Sequence, residues 1–430
     1  MQNIYKKQIL PDVNLTSVKT DKFKTGYFSV MLLTPLSKKT ASLNALLPSV
    51  LRRGTLRHPS MESIARALDE LYGAQIEVQV RKKGEYQCIG FCAGFADDDF
   101  LPPGENVLEK VAGLVGEILL TPNTSGGRLR GDFVNGEKER LLDELKAAIN
   151  DKRQYSVNRM LELMCQGESY GVYKLGDPDS MKKITAAALT KHYKQLLATA
   201  KIEIFYCGAA ENDRVENAFL EAFSALPRMG AEPLPETEVL LAPKKASVRT
   251  VHEAFDVTQG KLAIGFRLGD AMKAPNYAAI TVTNALFGGA VTSKLFMNVR
   301  EKLSLCYFAS SMMDKMKGIM VVSSGIEFSK YDEALSEIMA QLQAVKDGDI
   351  EPWELEGAKQ AVINSLRMTM DSQRGLETFY FDYGLLGVPY GPEDMAALAS
   401  CVTKEEVMAV AAGIEPDLIY FLTGERSGDQ

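Results

Sequence analysis

Residues 43–55 read LNALLPSVLRRGT. The run is nearly all apolar up to Leu51 and reads as the first long buried helix of the chain, residues 40–51. Gly54-Thr55 then turns the chain out of it. Pro48 falls inside this helix. An interior proline gives up one backbone hydrogen bond at a cost of ~3 kcal/mol, so a kink or an early helix end is expected there. The side chains at Ala45, Pro48 and Ser49 are a methyl, a pyrrolidine ring and a hydroxyl, none of which is a strong base or a good metal ligand.

Upstream, residues 1–25 are polar and extended, and they lead into TGYFSVMLLT, residues 25–34. That run is apolar at nearly every position, as a strand covered on both faces would be. Downstream, Ser60 is placed to cap a helix that runs through IARALDELYG and stops at Gly73, with Ser63 at the third helical position. Strands follow at residues 74–81 and 85–94 around a turn at 82–84. Val107, Leu108, Val111, Leu114, Val115 and Ile118 recur at helical spacing. Residues 132–151 form a strongly charged helix that continues through 156–165, and 185–197 is a further helix with Thr185 as its cap. An apolar strand at 201–208 completes the series.

The pattern then begins again. Residues 229–245 are rich in proline and poorly periodic, a linker. Beyond them lie a strand at 261–268, helices at 275–287 and 293–302, strands at 306–313 and 318–325, helices at 330–345, 351–370 and 403–412, and a closing strand at 417–424. MESIARALDELYGAQIEVQVRKKGEYQCIGF stands against KLFMNVREKLSLCYFASSMMDKMKGIMVVSS, and IEIFYCG at 202–208 against LIYFLTG at 418–424. Each half reads β-α-α-β-β-α-α-α-β, so the expected fold is α+β: two homologous halves, each a mixed, mostly antiparallel sheet covered by helices. The expected boundaries are 1–228 for the first half, 229–245 for the linker and 246–430 for the second half.

Composition narrows the function. The 430 residues are 46% hydrophobic and 24% charged with a formal net charge of −7, ordinary for a soluble globular chain. No Lys/Arg-rich block occurs, so neither nucleic acid nor an anionic membrane is an expected partner. No window approaches 18 consecutive apolar residues, and MQNIYKKQILPDVNL has no secretory apolar region. Six cysteines stand singly, several within apolar strand-like runs, as buried free thiols in a reducing compartment would. A cytoplasmic location is expected on both grounds. His58, His192 and His252 lie far apart, so a zinc site made from this chain's own residues is not expected.

The segment around residues 43–55 resembles the helix that carries His-x-x-Glu-His in the M16 (pitrilysin-like) metallopeptidases, where a similar turn follows the motif. Aligning Gly54-Thr55 on that turn sets Ala45, Pro48 and Ser49 where the family has His, Glu and His. Two zinc ligands and the carboxylate that would take a proton from zinc-bound water are then absent. GEKERLLDEL, residues 136–145, is similar to the segment supplying the third zinc ligand: Glu144 falls on the ligand position and Glu137 on that of a supporting glutamate outside the direct ligand set. Seven residues are about two turns, so both lie on one helix face, ~10 Å apart. With no histidines to complete a site, a solvated charged face with i,i+4 pairs is the simpler reading of the same residues.

SKLFMNVREKLSLCY, residues 293–307, resembles the second-half motif S-x-L-F-x-x-(L/V)-R-E-x-x-G-L-x-Y. Arg300 and Tyr307 match an Arg/Tyr pair that in the family holds the substrate backbone at the zinc site. A guanidinium is a fork of donors for a peptide carbonyl, and a phenol can donate to a developing oxyanion. Ser304 stands where the family has glycine, and a changed turn there would re-aim Tyr307. Gly288-Gly289 precedes this motif with no phosphate-binding pattern, which leaves close helix packing or a mobile loop.

The duplicated LuxS/M16 metallohydrolase-like architecture covers nearly the whole chain. The resemblance implies a non-catalytic subunit that binds peptide and completes the chamber of a zinc-bearing M16 partner, with no cofactor of its own and zinc only in the partner. Its length and lost motif are similar to those of a Firmicutes group linked to elongation factor P modification. A stand-alone peptide- or protein-binding scaffold, or a homodimer without protease activity, is the alternative. A third reading, a displaced zinc site, would need histidines near Glu144, and only His58 is close in sequence to the first helix.

Overall fold

In the computed structural model, which describes residues 3–424, the chain forms two units, each completed by a segment from the other half of the sequence. The strands are β1 Asn3–Leu10, β2 Val13–Lys19, β3 Thr25–Pro35, β4 Gln75–Lys83, β5 Tyr86–Ala96, the short pair β6 Thr124–Ser125 and β7 Arg128–Leu129, β8 Lys201–Gly208, β9 Arg249–Phe255, β10 Gly260–Arg267, β11 Cys306–Asp314, β12 Ile319–Ile326 and β13 Glu415–Gly424. In the first half the helices are α1 Ala41–Leu51, α2 Met61–Glu70, α3 Val107–Leu120, α4 Gly131–Ala147, α5 Lys152–Met164, α6 Pro178–Lys182, α7 Ala186–Thr199 and α8 Asn212–Ala222. The second half adds α9 Tyr277–Asn284, α10 Tyr331–Asp347, α11 Pro352–Thr369, α12 Gln373–Leu385, α13 Pro392–Cys401 and α14 Lys404–Ala412, with wider π-helical turns at Ala285–Gly289 and Leu295–Lys302. No helix among the described residues is long and apolar enough to cross a membrane.

Unit 1 comprises the residues up to Lys146, Val172–Glu236 and Asp371–Val388. Its six-stranded sheet has the order β1-β2-β8-β3-β5-β4, antiparallel except where β2 meets β8. The unbroken apolar run of β3 has a simple cause. Phe28, Val30 and Leu32 enter the core beneath α1, α3 and α7, whereas Met31 and Leu33 face Phe381 of α12 on the other side. Successive side chains of a strand alternate between faces, so a strand with both faces covered is apolar throughout. The cap at α2 forms as expected, with Ser60 and Ser63 each accepting from the other's backbone N–H.

Unit 2 comprises Ala147–Gly171, Thr237–Met370 and the chain from Pro389 onward. Its five-stranded sheet has the order β11-β12-β10-β13-β9, with β9 parallel to β13. α5 lies on this sheet, its Met160 and Met164 packed with Ala263, Val321 and Tyr420. Gly265 of β10 makes room for them: a Cβ there would stand 2.4 Å from the Met164 sulfur and 2.6 Å from that of Met160.

Each exchanged segment also carries a buried glutamate to an arginine of the sheet it joins. In unit 1, Glu377 of α12 is wholly buried and accepts from Arg81 at 2.7 and 2.8 Å and from Ser29 at 3.0 Å. In unit 2, Glu168 follows α5 and accepts from Arg267 at 2.8 and 3.2 Å, with Lys317 at 2.8 Å and Lys244 at 3.0 Å. Arg267 turns its Nε to Asp417 at 2.9 Å.

The α+β class and the two sheet-bearing halves are as expected. Several local expectations differ. α1 does not end at Pro48 but runs to Leu51. The polar N-terminal arm is a hairpin, β1-β2, and α8, β9, α12 and α13 add to the elements expected. The charged helix does not continue unbroken past 151: the Asp151 side chain accepts the Gln154 N–H at 3.0 Å and starts α5 as a new helix. The boundaries 1–228, 229–245 and 246–430 follow the order of the chain, whereas packing crosses that order at α5 and α12.

Candidate functional site: a cavity centred on an arginine, and an exposed arginine and tyrosine

α1 presents Ala45 and Ser49, one turn apart, to a cavity of about 600 Å³. α4 brings Glu137, Arg140 and Glu144 to the same cavity, and β4, the edge strand of its sheet, adds Val78, Gln79 and Val80. Four of the expected positions, Ala45, Ser49, Glu137 and Glu144, therefore meet here. Pro48 does not face this cavity; it sits toward the core beside Leu47, Leu51 and Phe91.

At the centre stands Arg140, a residue outside the aligned motif positions. The Arg140 guanidinium donates through Nε to Glu137 at 2.7 Å, through Nη1 to Glu144 at 3.2 Å and through Nη2 to the Ser49 hydroxyl at 3.1 Å. Arg53 reaches the other oxygen of Glu137 at 3.3 Å. Burial opposes the charge on Arg140, but the hydrogen bonds and charges of Glu137 and Glu144 outweigh it and hold its pKa above the usual arginine value. The signal was present in the i,i+3 and i,i+4 spacing of Glu137, Arg140 and Glu144.

This donor set does not fit zinc. Ala45 has no lone pair, and the Ser49 hydroxyl and the Glu144 carboxylate already accept from a fixed cation. Among the described residues no group of three or more His, Cys, Asp or Glu could hold a metal ion. The histidines are committed elsewhere. His58 stands 3.2 Å from Glu117, His192 is 2.6 Å from the Asn44 amide oxygen with its pKa lowered by burial, and His252 packs against Tyr331 and Phe421. Cys88, Cys92, Cys165 and Cys207 are buried, and burial pushes the Cys88 and Cys207 thiols up to about 12 and Cys92 to about 11, which makes poor nucleophiles.

Arg300 and Tyr307 belong to unit 2. Arg300 lies on the π-helical turn Leu295–Lys302, its guanidinium 4.7 Å from the Phe296 ring centre and 3.5 Å from Glu301. Tyr307, on β11, is 61% exposed, and its hydroxyl has no hydrogen-bond partner among the described residues. Ser304 sits between them at φ +50°, in the left-handed region. Its N–H closes on Arg300 C=O at 3.1 Å, and the Leu305 N–H on Val299 C=O at 3.0 Å. This is the helix-ending reversal of a Schellman motif, widened by one residue because the last turn is a π turn. The glycine-type turn is thus present with serine in it, contrary to the expected change of turn. Gly288 serves close packing: a Cβ there would come within 2.7–2.8 Å of Leu295 and Ser311.

Ser304→Gly is expected to stabilise unit 2 by about 1 kcal/mol, because a left-handed non-glycine residue costs roughly 1–2 kcal/mol and the freer unfolded chain returns part of that. A shift of the urea midpoint to higher concentration checks this. A lower midpoint would mean that the serine side chain compensates its own strain.

Comparison with known proteins bears on both regions. Residues 183–362 match the peptidase M16 inactive domain. A Bacillus subtilis (strain 168) protein described as "Probable inactive metalloprotease YmfF" is 34% identical over 407 residues, 95% of this chain and 95% of that protein. The crystal structure of a conserved protein from Enterococcus faecalis V583 superposes with a TM-score of 0.89 at 28% identity, over 99% of this chain and 100% of that one. That of a peptidase M16 inactive domain from Pseudomonas fluorescens shares the fold with a TM-score of 0.79 at 17% identity, over the whole of both chains. The chain belongs to the M16 peptidase family. Within that family it is an inactive zinc-protease homologue.

Proposed function

We propose that this chain is the substrate-holding member of a two-chain M16 peptidase: it binds an extended peptide and completes the chamber of a zinc-bearing partner. The reading rests on one contrast. In the motif cavity Arg140 occupies Ser49 and Glu144, whereas Tyr307 offers a free phenol to solvent and Arg300, stacked on Phe296, is only loosely paired. An exposed phenol and a guanidinium are donors suited to peptide carbonyls. β4 supports the same reading, since an edge strand can pair with an extended peptide, and this one borders the cavity.

The test mixes the purified chain with an M16 chain that carries an intact zinc motif and follows cleavage of an unstructured peptide. Arg300→Ala is expected to lower kcat/KM by roughly 10²-fold, in the range for removing one transition-state donor, with complex formation unchanged in size-exclusion chromatography. Full activity with Arg300→Ala would overturn the role given to this residue. No gain in activity on mixing with any zinc-motif chain of the same cell would overturn the two-chain reading.

A further inference from the structure

The cavity at the former motif is richer in cations than in carboxylates. Arg52, Arg53, Arg140 and Lys174 line it, against Glu137 and Glu144. Arg140 and Arg53 are engaged with those two carboxylates. The Arg52 side chain makes no hydrogen bond or ion pair among the described residues, yet its Nε is shielded from water, and the Nε of Arg53 is buried without a partner as well. A buried guanidinium N–H without an acceptor is unfavourable, so Arg52 holds its charge here without a partner carboxylate among the described residues. Val78, Val80, Leu141 and Leu175 give the cavity apolar walls, which strengthen any ion pair made inside it.

We propose that this cavity is a carboxylate-binding site, in which Arg52, aided by Arg53 and by Lys174, takes the negatively charged group of an acidic peptide. A planar guanidinium matches a carboxylate in a fork, and a peptide laid along β4 passes the cavity. That the carboxylate arrives on a peptide rests on the substrate-holding reading above; the cationic cavity itself does not. Arg52 and Arg53 end α1, so the rival account is that they only complement the helix C-terminus.

Fluorescence anisotropy on the full-length chain, with one unstructured peptide in four forms, decides between them. The forms combine Glu or Gln side chains with a free or amidated C-terminus, so side-chain and terminal carboxylates are read separately. The acidic forms are expected to bind at least about tenfold more tightly than the fully neutral form, the gain of a charge-assisted hydrogen bond. Arg52→Gln is expected to reduce that preference to about threefold or less while leaving the neutral form's affinity unchanged. Lys174→Gln, on an exposed side chain, is expected to reduce it by about half in free-energy terms and serves if Arg52→Gln does not fold.

Equal binding of acidic and neutral forms by the wild type would overturn the carboxylate site and leave peptide holding intact. A preference left undiminished by Arg52→Gln, or by Lys174→Gln where the first does not fold, would overturn it too. Failure of all four forms to bind would overturn peptide holding by this chain, and the inference with it.

Discussion

Glu168→Ala is expected to destabilise unit 2 by about 3–5 kcal/mol, the usual cost of removing one partner from a buried charge cluster. Arg267 and Lys317 are fully buried, and Glu168 is the carboxylate on which both converge, at 2.8 Å each. Without it, Asp417 is left facing the Arg267 charge. Burial alone would raise the Glu168 pKa, but the bonds from Arg267, Lys317 and Lys244 hold it down at about 2 against an ordinary 4.5. A carboxylate whose folded pKa is depressed contributes stability that is complete above its unfolded pKa and lost as pH falls through the folded one. The window is therefore pH 4.5 down to about 2, and the contribution is about 3 kcal/mol.

The single tryptophan, Trp353 of α11, reports on this unit. Urea unfolding followed by its fluorescence at pH 7 is expected to show the full loss in Glu168→Ala. At pH 3 the difference between variant and wild type is expected to shrink. A loss below about 1 kcal/mol at pH 7 would mean that Asp417 alone balances Arg267.

The second large effect concerns metal. Ala45→His with Ser49→His sets two imidazoles one turn apart on α1, facing Glu144 of α4 across the cavity. The double variant is expected to take up zinc poorly, because Arg140 still holds Glu144 and puts a fixed positive charge where the ion would sit. Adding Arg140→Ala frees Glu144 and removes that charge, and about one zinc per chain is expected, with three protein ligands. Elemental analysis after dialysis measures the stoichiometry. No peptidase activity is expected in the triple variant, since Pro48 supplies no base and faces the core. Zinc bound equally by the double and triple variants would show that Arg140 does not govern the site.

What the sequence shows and what it hides divide along physical lines. The buried strand β3 and the capped helix α2 are legible because each carries its signal within a few residues: an unbroken apolar run and a cap. α12 was not legible. QRGLETFYFDYGL has two glycines and four aromatics, weak helix formers with no clear polar face, and it is a helix because the sheet of unit 1 receives Tyr380 and Phe381. β9 was missed for a similar reason, since its burial alternates only once β13 is beside it. In the candidate site, that Ala45, Pro48 and Ser49 are neither strong bases nor good metal ligands can be read from residue types alone. The role of Arg140 cannot, because it depends on α1 and α4 sharing one cavity, a fact of tertiary structure.

The two exchanged helices impose an order on the making of this protein. Unit 1 has most of its core by Glu236, yet the helix that covers its second sheet face, and the glutamate that neutralises Arg81, are encoded at residues 371–388. A ribosome must add well over a hundred further residues before that face is closed. Met31, Leu33 and Cys88 are the side chains left uncovered in the interval. α5, conversely, is synthesised long before the strands it packs against, and waits as an amphipathic segment without a partner. Neither half of the sequence can therefore be shed, or expressed alone, as a finished fold: the exchange has turned two sheet-bearing units into a single inheritable one.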